Sequence, residues 1–267
     1  MISNGKFYES QFEEATIELL REAHWQYAFG DDIHRKYTDP LIEEELRNFL
    51  TVQYKDKNLT TSEMDSIVAN LRNTGGQNDY YALRNAFLLY RDGYDFAYSD
   101  GRDNPFRLEY IDFEHPDHNI FRCVNQFVME QGRENRRPDI LLFINGIPVC
   151  IIELKNPTKQ NATIHDAHTQ ICTRYMRDIP ALLKYCALAV ISDGAKNALG
   201  TTYTPFEFFY EWKKIENEDK AGKGLDTLRT LIRGALSPER ILEILRDYVY
   251  FPDPTKEDDT TEIVCRY

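Results

Sequence analysis

The feature that most constrains this chain's fold is the stretch RRPDILLFINGIPVCIIELKNP at residues 136–157. Two apolar runs flank an Asn-Gly pair, which is a strong signal for a tight turn between paired β-strands. Asp139 precedes the first run, and Glu153 and Lys155 stand at the end of the second. Charged side chains are rarely placed at the ends of buried strands without a partner or a function. The stretch therefore predicts a β-hairpin that carries charged groups at its open end.

The register of this hairpin decides whether its charges meet. With a two-residue loop, Glu153 would point to the opposite face of the hairpin from Asp139. With a three-residue loop and Gly146 in the left-handed conformation, Asp139 would lie opposite Ile151, and Glu153 and Lys155 would follow on the same face. We therefore predict the three-residue, bulged turn.

Two carboxylates and a lysine in one place suit metal-assisted hydrolysis of a phosphodiester. Asp139, Glu153 and the backbone carbonyl of Leu154 would supply the oxygen ligands that Mg²⁺ prefers. The ammonium group of Lys155 would orient the attacking water and stabilise negative charge on phosphorus. The alternative is that Asp139 caps a turn and Glu153 forms a surface ion pair with Lys155. The combination of Pro-Asp, strand, tight turn, strand and Glu-x-Lys is more specific than Glu-x-Lys alone, and it favours a nuclease.

These residues resemble the PD-(D/E)xK nuclease superfamily. NRRPDILLFINGIPVCIIELKNP (135–157) is similar, more narrowly, to the N-terminal nuclease domain of the type I restriction enzyme R subunit, HsdR. The similarity continues in NIFRCVNQFVME (119–130), HTQICTRYMRDIPALLKYCALAVISDG (168–194) and GTTYTPFEFFYEW (200–212). It implies DNA cleavage that depends on Mg²⁺, with Mn²⁺ as a possible substitute. It also implies Asp139 and Glu153 as metal ligands and Lys155 as the catalytic lysine.

The family also implies a helical Gln–Tyr pair, usually four residues apart. Gln170 and Tyr175 are five apart here, which corresponds to about 140° around an α-helix. We therefore predict that Gln170 supports the active site or contacts DNA and that Arg174 is its helical partner. Tyr175 is then either a second support of the active site or a packing residue only.

Further candidates are basic and acidic groups near the motif. Arg136 and Arg137 belong to a locally basic stretch that suits DNA phosphates, or they are solvated loop residues. Glu9 and Glu13 stand four apart on the first predicted helix and are candidates to approach the metal, or they form a solvated acidic face.

The pattern along the chain predicts an α/β protein, a restriction-endonuclease-like mixed β-sheet flanked by helices, with an extra N-terminal helical region. We expect a helical region at 1–80, a nuclease core at 81–215, and C-terminal helices with a linker at 216–267. The predicted helices are 9–24, 40–53, 62–73, 163–177, 226–235 and 238–248. Three antiparallel strands are expected within 83–143, followed by strands at 139–144 and 186–192.

The composition limits the classes of function. A net charge of −12 excludes a protein that coats nucleic acid by bulk charge, although it permits a local basic site. The five cysteines are scattered without a CxxC pair, and the chain shows neither a signal peptide nor a membrane span. We therefore expect a cytoplasmic protein without disulfides or membrane contact. His165 and His168 are three apart, but no companion ligand spacing supports zinc.

The resemblance further implies partners. They are double-stranded DNA and the modification and specificity subunits of a restriction complex. R subunits of this family continue into an ATP-driven translocase, and the motif G-x-x-x-x-G-K-[ST] does not occur in this sequence. We therefore expect a fragment of a longer subunit, with ATP used only by the full-length protein. The alternatives are a related nuclease of recombination or anti-phage defence, and a catalytically silent DNA-binding or assembly module.

Overall fold

The computed structural model describes residues 4–155, 163–215, 222, 224–252 and 262–265, with side chains from residue 10 onward. Its centre is a six-stranded sheet. The strands of this sheet are Gln26–Phe29 (β1), Phe121–Asn125 (β4), Ile140–Ile144 (β7), Ile147–Leu154 (β8), Leu188–Ser192 (β9) and Asn197–Gly200 (β10). Their order across the sheet is β1-β4-β7-β8-β9-β10. β1 pairs with β4 and β8 with β9 in parallel, while the other neighbours are antiparallel.

Within the described part of the chain, the remaining strands form three small two-stranded sheets. Their members are Tyr94–Phe96 (β2) with Phe106–Leu108 (β3), Met129–Gln131 (β5) with Glu134–Arg136 (β6), and Val249–Tyr250 (β11) with Ile263–Val264 (β12). The last pair includes part of the tail that we expected to be an extended linker. Most of that tail lies outside the described residues.

Helices cover both faces of the central sheet. One group of helices is Asn4–Glu22 (α1), Glu43–Gln53 (α2), Thr61–Asn73 (α3), Asp79–Asp92 (α4), Leu225–Ala235 (α8) and Pro238–Glu243 (α9). The other is Ile164–Thr169 (α5), Met176–Asp178 (α6) and Pro180–Leu183 (α7), with a π-helical segment, Gln170–Tyr175, between α5 and α6. The described residues form two hydrophobic cores: the larger core holds side chains of the first group, and the smaller core holds side chains of the second. The predicted α/β class, with a mixed sheet between helices, is confirmed.

Local sequence explains where several helices begin. Thr60 and Glu63 form a capping box at the start of α3, and Thr163 and Asp166 form another at the start of α5. In each box the hydroxyl accepts from the N3 amide while the acid accepts from the N-cap amide, so two backbone donors are satisfied together. Among the described helices, none is both long and apolar enough to cross a membrane.

Helix α4 was not predicted, because the segment from residue 83 was assigned to strands. Its aromatic composition favours strands. Tyr80, Leu83, Phe87 and Tyr90 nevertheless follow helical spacing and are all buried, and the side chain of Asn78 accepts from the N–H of Tyr81 at 3.1 Å to cap the helix. The helix lies across the predicted boundary at residue 80, and the division into 1–80, 81–215 and 216–267 stays a prediction.

The turn between β7 and β8 has two residues, so the predicted three-residue turn is wrong. Ile144 pairs with Ile147, and Asn145 and Gly146 both have positive φ angles, 51° and 76°. This geometry is typical of a type I′ turn. The buried side chain of Asn145 accepts from the N–H of Ile120 at 2.8 Å and donates to the carbonyl of Tyr110 at 3.0 Å. These contacts with a distant loop stabilise the left-handed conformation at the first turn position.

The bulge lies inside β8 instead, at Val149. Leu142 pairs with Cys150 while Phe143 pairs with Pro148, so Val149 is the extra residue. Val149 and Cys150 both belong to the larger core, which shows that the alternation of faces slips there. Beyond the bulge, Leu141 pairs with Ile151 and Ile140 pairs with Ile152. Because of the bulge, Glu153 near the end of β8 continues this register opposite Asp139, the residue that precedes β7.

Candidate active site

Three charged side chains converge at the open end of the β7–β8 hairpin. Asp139 precedes β7 and is partly buried, while Glu153 in β8 is 1% exposed. The carboxylate of Asp139 accepts from the backbone N–H of Leu154 through Oδ2 at 2.7 Å. Lys155 Nζ donates to Glu153 Oε1 at 2.9 Å. The structure therefore brings Asp139, Glu153 and Lys155 together, as the motif predicted, although through a different bulge.

The backbone around Lys155 is held by the central sheet. Its N–H donates to the carbonyl of Ser192 at 2.7 Å, which extends the β8–β9 ladder by one residue. The ammonium group also donates to Gln170 Oε1 at 2.6 Å. These side-chain contacts with Glu153 and Gln170 account for two of the three N–H donors of an ammonium group.

The two carboxyl groups lie close enough to change each other's ionisation. Burial raises the pKa of Asp139 to about 6, although the N–H of Leu154 and the charge of Lys155 oppose that rise. Burial also raises the pKa of Glu153 well above its ordinary range, and the neighbouring charge of Asp139 adds to the effect. Two adjacent buried acids resist full ionisation because their like charges repel in a region of low dielectric constant.

Gln170 and Tyr175 meet through an irregularity in their helix. The segment Gln170–Tyr175 is π-helical, and the i→i+5 spacing of a π-helix brings residues five apart onto one face. Gln170 Nε2 donates to Tyr175 Oη at 2.6 Å, and Tyr175 Oη donates to Glu153 Oε2 at 3.3 Å. The prediction that Gln170 and Tyr175 lie on different faces is wrong, because it assumed a regular α-helix. Tyr175, and not the exposed Arg174, is the helical partner of Gln170.

Helix α1 brings Glu13 to the same edge of the sheet. Its carboxylate accepts from Asn125 Nδ2 at 2.7 Å and from Gln126 Nε2 at 2.9 Å. Gln126 contacts both Glu13 and Asp139, and the charge of Glu13 contributes to the raised pKa of Asp139. Tyr27 donates to Asn125 Oδ1 at 3.0 Å and holds that amide in place. The side chain of Glu9 lies outside the described residues.

Sequence reasoning missed the amides that hold Glu13. Asn125 ends β4, and Gln126 has a left-handed backbone with a φ of 55° as the chain leaves the strand. The backbone N–H of Gln126 donates to the carbonyl of Asp139 at 3.3 Å, so the turn is attached to the acidic site. The only signal in the sequence was an Asn-Gln pair at the end of an apolar strand, which by itself does not indicate a site.

Comparison with known proteins identifies the family. The model of the family "Type I restriction enzyme R protein N terminus" matches residues 6–208. The chain belongs to this family. The endonuclease subunit of the type I restriction enzyme HindI from Haemophilus influenzae is 29% identical over 255 residues, which cover 91% of this chain and 24% of that subunit. The putative MjaIXP endonuclease subunit of Methanocaldococcus jannaschii is 28% identical over 261 residues, which cover 89% of this chain and 25% of the relative.

A third relative extends the comparison to another organism. The EcoprrI endonuclease subunit of Escherichia coli is 31% identical over 133 residues, which cover 46% of this chain and 40% of that subunit. The chain spans about a quarter of the length of the first two relatives. The recognised resemblance to the R subunit of type I restriction enzymes is therefore confirmed.

The predicted basic residues of this R-protein domain occupy different surroundings. Arg136 Nε donates to Asp178 Oδ2 at 2.7 Å, and its NH2 group donates to Glu134 Oε2 at 2.5 Å. Arg136 therefore ties β6 to the end of the π-containing helix, and two carboxylates offset its charge. Arg137 and Arg174 are exposed. Their positions permit contact with a ligand, and their predicted contact with DNA stays a prediction.

The side chains of the site fit a hard divalent cation. Asp139 and Glu153 place two carboxyl groups side by side where burial disfavours their negative charge. One ammonium group neutralises at most one of these charges, so a cation with oxygen preference is the natural complement. The carbonyl of Leu154 as a third ligand stays a prediction, since the structure assigns only the N–H of that residue to Asp139.

Proposed function

We propose that this chain is the DNA-cleaving domain of a type I restriction enzyme. It would hydrolyse phosphodiester bonds of double-stranded DNA with Mg²⁺, and Mn²⁺ would substitute for Mg²⁺. The observation that carries the proposal is the contact network that joins Asp139, Glu153 and Lys155 at one end of a buried hairpin. Membership of the R-protein family supports it.

Each acid has a distinct role in holding the cation. Glu153 is fixed by Lys155 on one oxygen and by Tyr175 on the other, so its carboxylate has a single orientation. Asp139 is fixed by the N–H of Leu154 on Oδ2. Mg²⁺ bound by these groups would polarise the phosphodiester and activate water for attack. Fixing both ligands in advance lowers the reorganisation needed when the cation and DNA arrive.

Lys155 would act on the scissile phosphate. Glu153 and Gln170 occupy two of its donors, and the third would donate to a phosphate oxygen or to the attacking water. Gln170 is in turn positioned by Tyr175. Gln170 is thus a positioning residue for Lys155, while Tyr175 positions both Gln170 and Glu153.

Glu13 would complete the acidic edge of the site. Asn125 and Gln126 orient its carboxylate, and its electrostatic effect on Asp139 supports a position beside the proposed cation. DNA would approach this edge with the exposed Arg137 and Arg174 near its backbone. The overall charge of −12 would weaken binding of DNA to other surfaces of the domain.

We infer that cleavage requires the remaining parts of the restriction complex. These are the modification and specificity subunits and the ATP-dependent activity of the complete R subunit. The proposed test uses that complete subunit, assembled with its companions on supercoiled DNA with Mg²⁺ and ATP. We expect Lys155→Ala to abolish strand cleavage while ATP hydrolysis persists. Mn²⁺ affinity of the nuclease domain should also persist, because removing the positive charge that repels the cation offsets the loss of the hydrogen bond to Glu153.

The matched control is Lys213→Ala, since Lys213 is 74% exposed. This variant should cleave DNA as the wild type does. Cleavage by Lys155→Ala at the wild-type rate would contradict the assigned role of Lys155. Loss of Mn²⁺ affinity in the same variant would show that Lys155 organises the metal site instead.

A further inference from the structure

A second group of potential ligands lies in the loop between β3 and β4. Asp112 is 4% exposed, while the side chains of His115 and His118 are 63% and 48% exposed. Asn119 Oδ1 accepts from the N–H of Asp112 at 2.9 Å and from Asn145 Nδ2 at 2.8 Å. The loop is therefore attached to the closed end of the β7–β8 hairpin. Asp139 and Glu153 lie at the open end of that hairpin, so the two groups are separate sites.

The three side chains present their ligand atoms to one point. A ligand atom from each of Asp112, His115 and His118 lies within 4.8 Å of the others. Asp112 Oδ2 is 2.9 Å from His118 Nδ1 and 3.4 Å from His115 Nδ1. Ligand atoms around a tetrahedral Zn²⁺ lie about 3.3 Å apart, given bonds of about 2.0 Å. The two distances from Asp112 Oδ2 are already close to that value, and rotation of the exposed rings can adjust the distance between their nitrogens.

The two imidazole rings are already arranged side by side. Their centroids are 4.8 Å apart and their planes differ by 22°. The Nδ1 atom of each ring faces Asp112 Oδ2. Both rings are accessible from solvent, so an ion and its remaining water ligands have a path to the site.

The carboxylate is fixed by contacts that do not involve the rings. Asp112 Oδ1 accepts from the backbone N–H groups of Glu114 and His115 at 3.0 and 2.9 Å. Gln53 Nε2 donates to Oδ2 at 3.0 Å. Oδ2 thus has one amide donor and two imidazole nitrogens around it. A cation placed among Oδ2 and the two Nδ1 atoms would accept a lone pair from each of these three atoms.

We propose that Asp112, His115 and His118 form a surface binding site for a transition-metal ion, with Zn²⁺ as the best match. Two imidazole nitrogens and one carboxylate oxygen suit Zn²⁺, whereas Mg²⁺ prefers oxygen ligands alone. Water would complete the coordination. The bound ion would fix the loop from Asp112 to Asn119 against α2 and the hairpin turn. This proposal does not depend on the proposed nuclease activity.

A second pair of histidines provides an internal comparison. His165 and His168 are also three apart, but their ring centroids are 6.2 Å apart. His168 Nε2 lies 2.9 Å from the carbonyl of Thr204, and His165 packs edge-on against Phe206 at 4.8 Å. The pair that sequence spacing singled out is thus engaged in other contacts, and the structure points to the pair beside Asp112.

The test is a Zn²⁺ titration against a competing chelator, with the chain first stripped of metal. The Asp139→Asn, Glu153→Gln background removes the carboxylates of the candidate active site as competing ligands. We expect one equivalent of Zn²⁺ to bind, with shifts of the His115 and His118 imidazole signals in NMR spectra. His118→Ala should weaken the affinity by about a hundredfold, since even residues that only orient metal ligands contribute about 10- to 100-fold.

His165→Ala is the matched control and should leave the affinity unchanged. Because His118 and His165 are both exposed, neither substitution should unfold the chain, which circular dichroism would verify. Absence of Zn²⁺ binding in this background would overturn the proposal. The proposal would also be overturned if His118→Ala bound Zn²⁺ as tightly as the background protein does. A loss of Zn²⁺ affinity in His165→Ala as large as that in His118→Ala would overturn it too.

Discussion

Gln170 donates a hydrogen bond to the hydroxyl of Tyr175 over 2.6 Å, although the two residues are five apart in sequence. The π-helical segment makes this possible, because it adds one residue to the turn between them. Tyr175 continues the chain of contacts to Glu153. Gln170 and Tyr175 would lie on different faces of a regular α-helix, but the π-helical segment puts them on the same face. Such π-helical turns are frequent at functional sites.

Tyr175→Phe tests whether this hydroxyl serves the site or only the core. The variant keeps the buried ring but leaves Gln170 and Glu153 each without one partner. We expect the free energy of unfolding to fall by about 1–3 kcal/mol. We also expect the affinity for Mn²⁺ to fall by about tenfold, because Glu153 loses a group that orients it. Denaturant titration and calorimetry measure the two effects.

Tyr185→Phe is the control for this change. Tyr185 is also fully buried, and its hydroxyl donates to the carbonyl of Leu71 at 3.1 Å. Its loss should lower stability to a similar extent without altering Mn²⁺ affinity. If both variants bind Mn²⁺ equally well, Tyr175 does not orient Glu153 for metal binding.

The raised pKa of Asp139 predicts that ionisation of this one carboxyl group destabilises the metal-free chain. The pKa rises from 3.8 to about 6 on folding, so between these values the folded chain retains a proton that the unfolded chain has released. The contribution of Asp139 to the free energy of unfolding therefore falls as pH increases through this window and stays lower above it. The rise corresponds to about 3 kcal/mol. In the metal-free state, the free energy of unfolding of Asp139→Asn should exceed that of the wild type by up to this amount at pH 8 and should equal it at pH 4.

Thermal melts in chelator, and again with Mg²⁺, measure this effect. Mg²⁺ should raise the melting temperature of the wild type at pH 8 but not that of Asp139→Asn, because only a folded site that binds the ion gains stability. Asp178 is the control with the opposite effect on stability, since hydrogen bonds from Arg177 and Arg136 hold its pKa below the ordinary value. Its ionised form stabilises the folded chain, so Asp178→Asn should lower the free energy of unfolding at pH 8. Destabilisation by Asp139→Asn in chelator at pH 8 would contradict this account of the acidic site.

The two-residue turn of the hairpin can be tested at Gly146. A Cβ at this position would lie 2.2 Å from the carbonyl oxygen of Ile42, in addition to requiring a positive φ. Gly132 also has a positive φ, 63°, but a Cβ there would have nothing within 4 Å. Gly132→Ala should therefore cost only the left-handed conformation, about 1–2 kcal/mol. Gly146→Ala should lower the free energy of unfolding by clearly more, and equal losses would show that α2 does not pack closely on the turn.

The positions of Asp139, Glu153 and Lys155 at the end of the hairpin were predictable from the sequence, but the bulge in β8 that aligns them was not. The alternation of apolar residues indicates two strands, and the Asn-Gly pair indicates their turn. The position of the bulge depends on how Val149 and Cys150 fit the larger core and on contacts of Asn145 with a loop that is distant in sequence. Such tertiary contacts leave no local signal, so the correct face was inferred through an incorrect turn.

Two other features were hidden from the sequence for a similar reason. The π-helical segment allows Gln170 and Tyr175 both to contact the site, whereas regular α-helical spacing assigns them to different faces. The pairing of His115 and His118 with Asp112 depends on a loop conformation that Asn119 and Asn145 hold. The overall α/β class was predictable because it follows from strand and helix periodicity, which is a local property.

The central claim is that Asp139 and Glu153 together hold a divalent cation. Crystals of this chain soaked in Mn²⁺, with data collected for anomalous scattering, test it most directly. We predict a peak between the two carboxylates, with metal–oxygen distances of about 2.1 Å, and no peak there in Glu153→Gln crystals. The claim is contradicted if the wild-type crystals show no anomalous peak at these carboxylates under saturating Mn²⁺.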